Sequence, residues 1–469
     1  MISGRRFIVN DLRRAQSRWK TFMQPGAPVN TFSPGKPGFS PFEFTTPADF
    51  DIIWAMIGVS KLLCGLVTPQ DAQRYGRHSS RLPAGLLQFS ADKKPIVVWN
   101  MTRACNLKCV HCYASASCAA DRDEMSTAEA MKMIDDLAAF GVPTLLFSGG
   151  EPFLRKDLFE LGEYAASKKI RTVISSNGTL IDSPTAKMIK NSGFSYVGVS
   201  LDGLRETNDR FRGADGAYDM AMAGIGCCLA EGIRVGLRFT INRSNYEEVP
   251  HVFDVMSHNS IPRVCFYHLV YSGRGSELFG ESLPLPESRK TVEYIFSRTR
   301  EIFASGKSVE VLTVDNHADG VLLYLKMLAE DPRRAGEIMT LLKYNGGNNS
   351  GIAIACVDWR GFVHADQFWR HKSFGNVRQR PFGDIWTDLS DPLLAGLKNR
   401  KGLLKGRCRI CKYLDICNGN FRVRAEAVFG DTWAPDPACY LTDEEIGLTG
   451  EKLSQPGSGN EIFDFNWSK

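Results

Sequence analysis

The sequence lacks a long uninterrupted apolar run. Its best candidate, residues 52–67, falls short of the roughly 18–20 residues that span a bilayer and contains Lys61. It also lacks a secretory leader, since Arg5 and Arg6 are followed by polar residues such as Asn10 rather than by an apolar segment. These absences argue against membrane insertion and export, and they predict a cytoplasmic protein.

The charge balance contains no strong excess of either sign. With 57 basic and 52 acidic residues, the 469-residue chain carries a formal charge of +5. No concentrated basic stripe is present, so the sequence does not predict nucleic-acid binding. A mildly basic protein is compatible with a small anionic substrate. No internal repeat at a fixed period is evident either.

Three of the thirteen cysteines are closely spaced, at Cys105, Cys109 and Cys112. A 4Fe–4S cubane normally takes four cysteine ligands, so three thiolates leave one iron open for a small molecule. Structural zinc, the alternative, prefers four ligands in paired spacings. His111 is a poor fourth zinc ligand because it adjoins Cys112. The C-x3-C-x2-C spacing, followed by Tyr113, therefore favours a cluster.

This cysteine motif resembles the signature of the radical S-adenosylmethionine (radical SAM) superfamily. Gly149-Gly-Glu-Pro152 strengthens the resemblance, since it matches the superfamily's GGEP motif. The resemblance implies a 4Fe–4S cluster that binds SAM and cleaves it to a 5′-deoxyadenosyl radical. Gly149 and Gly150 would let backbone approach the ligand, and Glu151 would accept from the ammonium group of SAM.

Polar residues at further strand ends are expected to contact SAM by the same resemblance. These are Asn177, Ser200 and Arg238, with Gly273-Arg-Gly275 near the adenine. The guanidinium of Arg238 can pair with a carboxylate. The alternative for each is a residue that only caps its strand end, and the sequence leaves this open.

Short apolar runs alternate with helical stretches from about Pro95. The predicted strands are 96–100, 144–148, 171–175, 196–200, 234–242 and 264–271. Such alternation predicts parallel strands with right-handed crossovers. We therefore expect an α/β fold: a partial (β/α)6 TIM-like radical SAM barrel with a smaller C-terminal auxiliary iron–sulfur domain. Ligands should lie beyond the carboxyl ends of the strands.

The composition suggests five regions. We expect an N-terminal extension and linker, partly disordered, a radical SAM domain, a helical connector, an auxiliary-cluster domain and a tail. Their bounds are 1–90, 91–275, 276–350, 351–447 and 448–469. Because Met56 begins a plausible start, the proline-rich segment before it is expected to be a lineage-specific extension or an over-called start.

A second group of cysteines lies near the C-terminus. Its members are Cys408, Cys411, Cys417 and Cys439. Zinc is the fair alternative, but behind a radical SAM domain this spacing resembles a SPASM/Twitch auxiliary-cluster domain, which implies a second 4Fe–4S cluster. Full SPASM domains hold two auxiliary clusters. Here Asp366 and Phe421 occupy expected cysteine positions, so one auxiliary cluster is predicted. Cys356, Cys118 and the remaining cysteines are interpreted as structural.

Segments of the C-terminal half, at residues 364–371, 374–377 and 431–440, resemble the tetrapyrrole-modifying branch of the superfamily, and this resemblance covers residues 56–447. The chain's aromatic residues can stack on a macrocycle, its cationic residues can meet propionates, and its histidines can ligate substrate iron. The aromatic candidates are Trp359, Phe362, Phe368 and Trp369. The cationic candidates are Arg370, His371, Arg378, Arg422 and Arg424. The ligand candidates are His268, His317, His364 and His371. For each single residue, an ordinary core or surface role is the alternative.

The resemblance predicts a radical SAM enzyme that removes or modifies peripheral acid side chains of a siroheme-derived iron tetrapyrrole. The expected reaction converts 12,18-didecarboxysiroheme to Fe-coproporphyrin III, with a small ferredoxin or flavodoxin as electron donor. A heme d1 biosynthetic enzyme and a peptide-modifying SPASM maturase are the alternatives within the superfamily. A non-catalytic metal-binding module is the alternative from another class.

Overall fold

The computed structural model of the protein describes residues 56–65 and 94–448. The two N-terminal arginines and the proline-rich stretch lie outside the described residues. Within the described ranges, no helix combines the length and the apolar character needed to cross a membrane.

One sheet contains the eleven strands found in the described ranges. The strands are β1 (Met56–Gly58), β2 (Ile96–Thr102), β3 (Thr144–Gly149), β4 (Arg171–Ser176), β5 (Val197–Ser200), β6 (Val235–Ile241), β7 (Arg263–His268), β8 (Glu310–Val314), β9 (Ile354–Val357), β10 (Phe362–His364) and β11 (Gly375–Asn376). Their order is β1-β8-β7-β6-β5-β4-β3-β2-β9-β10-β11. Neighbours from β2 to β8 are parallel, and β9 adds to β2 in parallel.

Helices connect and cover these strands. They are α1 (Val59–Cys64), α2 (Thr127–Phe140), α3 (Leu158–Ser167), α4 (Ser183–Asn191), α5 (Arg205–Arg212), α6 (Ala217–Ala230), α7 (Val249–His258), α8 (Leu285–Ala304), α9 (Ala318–Glu330), α10 (Pro332–Asn345), α11 (Phe382–Thr387), α12 (Pro392–Lys398), α13 (Gly406–Ile410), α14 (Leu414–Cys417) and α15 (Arg422–Phe429). Short 3-10 segments cover Pro152–Leu154, Tyr246–Glu248 and Gly273–Glu281.

The partial (β/α) barrel is confirmed, and its six predicted strands correspond to β2–β7. Local sequence explains the bounds of α2: Ser126 and Glu129 form a capping box at its start, and Gly141 ends the helix with a φ of 86°. A hairpin turns at Gly361 between β9 and β10, which pair antiparallel.

The expectation of an entirely helical connector over residues 276–350 is wrong at β8. This strand is buried along its whole length and pairs with β7. Its first residue, Glu310, forms ion pairs with Arg234 and Arg263, both at 2.6 Å. Residues 56–58, which the sequence placed in the extension and linker, pair antiparallel with β8. Pairing with β7 on one side and β1 on the other defines this strand.

Candidate functional site

A cavity of about 160 Å³ opens at the carboxyl ends of the parallel strands. The predicted residues that line it are Cys105, Cys109, Cys112, Gly149, Gly150, Asn177, Ser200 and Arg238. These residues come from loops after β2, β3 and β4 and from strands β5 and β6. The fold therefore brings together nearly the whole N-terminal set that the sequence singled out, at the sheet edge where parallel α/β folds bind ligands.

The two glycines at the end of β3, Gly149 and Gly150, hold the cysteine loop against the barrel. Gly150 donates its backbone N–H to Thr102, and Glu151 donates to the carbonyl of Ala104, at 2.8 and 2.7 Å. A Cβ at Gly150 would lie 2.0 Å from the Ala104 carbonyl oxygen. Gly149 has a φ of 122°. The glycines are thus required for close packing of the two motifs, which places Cys105 beside the β3 loop.

Arg212, in the last turn of α5, is buried between an acid and a cysteine. It donates to the Cys109 sulfur at 3.6 Å and forms an ion pair with Asp202. Burial raises the pKa of the Cys109 thiol, and the charge of Arg212 opposes that rise. A cationic donor at the sulfur stabilises a thiolate, which is the form that binds iron. Nothing in the local sequence around Arg212 indicated this role.

The three cysteines fit an iron–sulfur cluster. All three are free thiols that face one cavity. In the described part of the chain, no three His, Cys, Asp or Glu side chains gather tightly enough to hold a single metal ion. A zinc ion would need sulfurs about 2.3 Å from one centre, whereas each thiolate of a cluster binds a different iron. Burial raises the pKa of Cys105 to about 12, so cluster binding there would release a proton.

Glu151 does not face the cavity, which corrects its predicted contact with an ammonium group. The side chain is fully buried and accepts hydrogen bonds from the Ser176 hydroxyl and the Asn177 backbone, both at 2.9 Å. Burial raises its pKa to about 7. The residue orients the end of β4, so its effect on a ligand passes through Asn177. The side chain of Asn177 does line the cavity wall beside Asn106, to which it donates at 2.9 Å.

Arg238 and Tyr113 tie the cavity wall together. Arg238 pairs in register with Ser200 on the neighbouring strand and donates to the Ser175 hydroxyl at 2.5 Å. The Tyr113 hydroxyl donates to Asn100 at 3.0 Å, and burial raises its pKa to about 12. The aromatic residue that follows the cysteine motif thus anchors the loop to β2.

The Gly273-Arg-Gly275 segment packs on the cysteine loop. Arg274 lines the cavity and donates to the carbonyls of Cys109 and Ala116 at 2.8 and 2.7 Å. Gly273 has a φ of 59°, and a Cβ there would lie 2.3 Å from the Tyr113 carbonyl oxygen. The segment therefore fixes the loop that carries the cysteines; its predicted adenine contact stays a prediction.

The C-terminal region closes the cavity through Gln367 and Phe368. Phe368 packs edge-on against Tyr113 and Phe421, with ring centroids 5.5 and 5.6 Å apart. Asp366 accepts from the Phe368 backbone at 2.8 Å. Asp366 and Phe421 stand where a full SPASM domain would carry cysteines. Both contact Phe368, which forms this wall. The Gln367 amide oxygen is buried and has no hydrogen-bond partner within residues 56–65 and 94–448.

The four C-terminal cysteines come together around Cys417. Its thiol lies within electrostatic range of Cys439, Cys408 and Cys411, and burial together with these thiols raises its pKa. Burial raises the pKa of Cys439 to about 12. Four converging free thiols match the donor set of a 4Fe–4S cluster. Cys356 is fully buried in β9, as expected of a core thiol, whereas Cys118 is exposed and is not part of the core.

Most of the predicted substrate residues lie away from this cavity. Among the aromatic candidates only Phe368 lines it, and among the histidine ligand candidates only His268 does. Arg422 and Arg424 are completely buried and donate to backbone carbonyls of Ala434 and Asp315, both at 2.5 Å, so their predicted propionate contacts are wrong. The arginines that line the cavity are Arg212, Arg238 and Arg274.

The structure adds a buried acid that the sequence analysis missed. Asp315 directly follows β8 with a φ of 67° and lines the cavity. Burial raises its pKa to about 7, and Arg424 and Arg238 oppose the rise. The position of Asp315 at a strand end could have identified it from the sequence, but only if β8 had been predicted as a strand.

Comparison with known proteins agrees with this geometry. The family model of the Radical SAM superfamily matches residues 99–256. The Fe-coproporphyrin III synthase of Methanosarcina barkeri is 64% identical over 84% of this chain and 99% of that protein. The pre-heme d1 synthase of Dinoroseobacter shibae is 41% identical over 76% of this chain and 88% of that protein.

Solved structures share the fold. Streptococcus suis SuiB bound to its precursor peptide SuiA has a TM-score of 0.61 at 19% identity, covering 80% of this chain and 82% of that chain. A structure of anSMEcpe with bound AdoMet and a peptide has a TM-score of 0.58 at 19% identity, covering 74% and 94%. At these identities the likeness concerns architecture alone.

Proposed function

The chain belongs to the radical SAM superfamily, in the branch that contains Fe-coproporphyrin III synthase, and we propose that it forms Fe-coproporphyrin III. The protein is a radical SAM enzyme of alternative heme biosynthesis. It converts 12,18-didecarboxysiroheme to Fe-coproporphyrin III. The observation that carries this conclusion is 64% identity along 99% of a protein named for its product. The pre-heme d1 relative, at 41% identity, is the weaker match.

Cys105, Cys109 and Cys112 would hold the 4Fe–4S cluster, and its open iron would meet SAM. When bound, the cluster and SAM supply a carbon radical that can abstract hydrogen. The proposed SAM contacts are Gly149, Gly150, Asn177, Ser200 and Arg238. Backbone groups at the end of β3 take the place of the Glu151 carboxylate in this set.

The chain's own residues orient the reactants and limit water. Arg212 and Arg274 hold the cysteine loop, while Phe368 closes the opposite wall. Arg238 and Arg274 on the wall contribute positive charge that suits a substrate with several carboxylates. A macrocycle also offers a face for Phe368 to pack against.

We further propose that Cys408, Cys411, Cys417 and Cys439 hold one auxiliary 4Fe–4S cluster. Because its thiols need reducing conditions, the cytoplasm is the proposed compartment. A ferredoxin or flavodoxin is the proposed electron donor.

Incubation with didecarboxysiroheme, SAM and reductant tests the function. Anaerobically reconstituted protein should release 5′-deoxyadenosine, and mass spectrometry of the pigment should show Fe-coproporphyrin III. The Cys109→Ala variant should do neither. An unchanged pigment despite release of 5′-deoxyadenosine would reject this substrate, and processing of a precursor peptide instead would favour the maturase alternative.

A further inference from the structure

His268, the last residue of β7, lies on the wall of the same cavity as the three cysteines. Its Nε2 atom is 2.9 Å from a carboxylate oxygen of Asp319. No described residue forms a hydrogen bond with its Nδ1 atom, and 7% of the side chain remains exposed. One ring nitrogen is therefore held by the protein, and the other is without a partner among these residues.

Asp319 is itself fixed. It lies in the first turn of α9, is completely buried, and accepts a hydrogen bond from the Tyr440 hydroxyl at 2.5 Å through its other oxygen. A carboxylate held in this way assigns the Nε2 proton to His268 and leaves a lone pair on Nδ1. Histidines that bind metals in proteins usually donate their second N–H to a carboxylate in this manner.

The other histidine on this wall is arranged differently. His111 adjoins Cys112, its Nε2 is 3.4 Å from Asp202, and its Nδ1 is buried without access. His317 and His364 do not line the cavity, and His371 pairs with Glu426 at 2.6 Å outside it. Within the described residues, His268 is thus the histidine that offers a free nitrogen to a molecule in the cavity.

We propose that His268 is the axial ligand, through Nδ1, of the iron in the tetrapyrrole substrate. This inference rests on the proposed function, which supplies an iron macrocycle as the occupant. Asp319 is a positioning residue: its negative charge strengthens the imidazole as a donor and sets the ring orientation. One coordinate bond at the centre of the ring would then fix the macrocycle relative to the cysteine loop.

Binding of ferric Fe-coproporphyrin III to the reconstituted full-length protein tests the proposal. Absorption and EPR spectra of the wild type should show an axial nitrogen, with hyperfine coupling that changes when histidine is labelled with ¹⁵N. The His268→Ala variant should still bind pigment but lose this signature, and added imidazole should restore it. His371→Ala is the matched control and should keep the wild-type spectrum.

The outcomes separate the two claims. If the wild type binds no tetrapyrrole, the proposed function fails. If the wild type binds but His268→Ala gives the same spectrum, the axial assignment alone is wrong. Asp319→Asn provides a second variant: it should retain the nitrogen ligand and raise the midpoint potential of the bound iron, since a neutral partner makes a weaker donor. An unchanged potential would reject the positioning role.

Discussion

The guanidinium of Arg212 lies 3.6 Å from the sulfur of Cys109. This contact joins α5 to the loop after β2, across 103 residues of sequence. Because Arg212 also neutralises the buried Asp202, one side chain supports both the cysteine loop and the end of β5. The site thus depends on a charge that the cysteine motif does not contain.

Replacing Arg212 by Ala should destabilise the protein by about 3–5 kcal/mol, because it leaves a buried charge on Asp202 unpaired. Bound iron should also fall. Thermal unfolding and iron analysis measure both effects. Arg205→Ala is the matched control: its pair with Asp219 is exposed, so a loss of under about 1 kcal/mol is expected. Equal effects from the two variants would contradict the prediction.

Gly150→Ala should abolish cluster binding, because the new Cβ would lie 2.0 Å from the Ala104 carbonyl oxygen. The atoms nearest to this Cβ are backbone atoms of Arg103 and Ala104, which cannot move aside without disturbing the loop. Gly226→Ala, in the middle of α6 with open space around it, should instead stabilise the fold by about 0.5–1 kcal/mol. Absorbance near 400 nm reports the cluster; a fully brown Gly150→Ala protein would refute the packing argument.

Tetrapyrrole binding should weaken as the pH rises through about 7. Asp315 lines the cavity with a pKa raised to about 7, so it is neutral below that pH and negative above it. The added charge repels substrate carboxylates by about 1 kcal/mol, or several-fold in Kd. Asp315→Asn tolerates the left-handed backbone and should remove this step. Titrations of Fe-coproporphyrin III at pH 6 and 8 make the comparison; a pH step that persists in the variant would assign it elsewhere.

The same carboxyl group affects folding. Its pKa is raised above the ordinary value, so its contribution to stability is complete below about pH 4 and is lost as the pH rises through about 7. The Asp315→Asn variant should therefore be less sensitive to pH over this interval, measured by chemical unfolding at fixed ionic strength.

Phe368→Ala should weaken tetrapyrrole binding, because Phe368 forms a cavity wall. Phe362 is an exposed aromatic on β10, and Phe362→Ala should leave affinity unchanged. Titration of the pigment in both variants measures the difference. A larger loss at Phe362 would mean that the macrocycle binds outside this cavity.

Cys417→Ser should reduce iron from about eight to about four per chain, since Cys417 lies at the centre of the proposed auxiliary site. Cys118→Ser removes an exposed thiol and should leave iron at about eight. Iron near four in the wild type would rule out the second cluster.

The sequence by itself determined the chemistry-bearing loops and most of the barrel. The cysteines Cys105, Cys109 and Cys112 and the glycines at the end of β3 form two short motifs, so the spacing within each motif sufficed to identify them. The alternation of strands and helices likewise depends on short-range periodicity, and β2–β7 were found from it.

Tertiary structure decided the rest. Arg422 and Arg424 are of a residue type that commonly binds anions. In the fold, however, their guanidinium groups donate hydrogen bonds to buried backbone carbonyls. Strand β8 exists because β7 and β1 pair with it, and only then does Asp315 reach the cavity. His268 gains its orientation from Asp319, 51 residues away. Burial and partnership between distant residues depend on how the elements pack, and no local pattern encodes them.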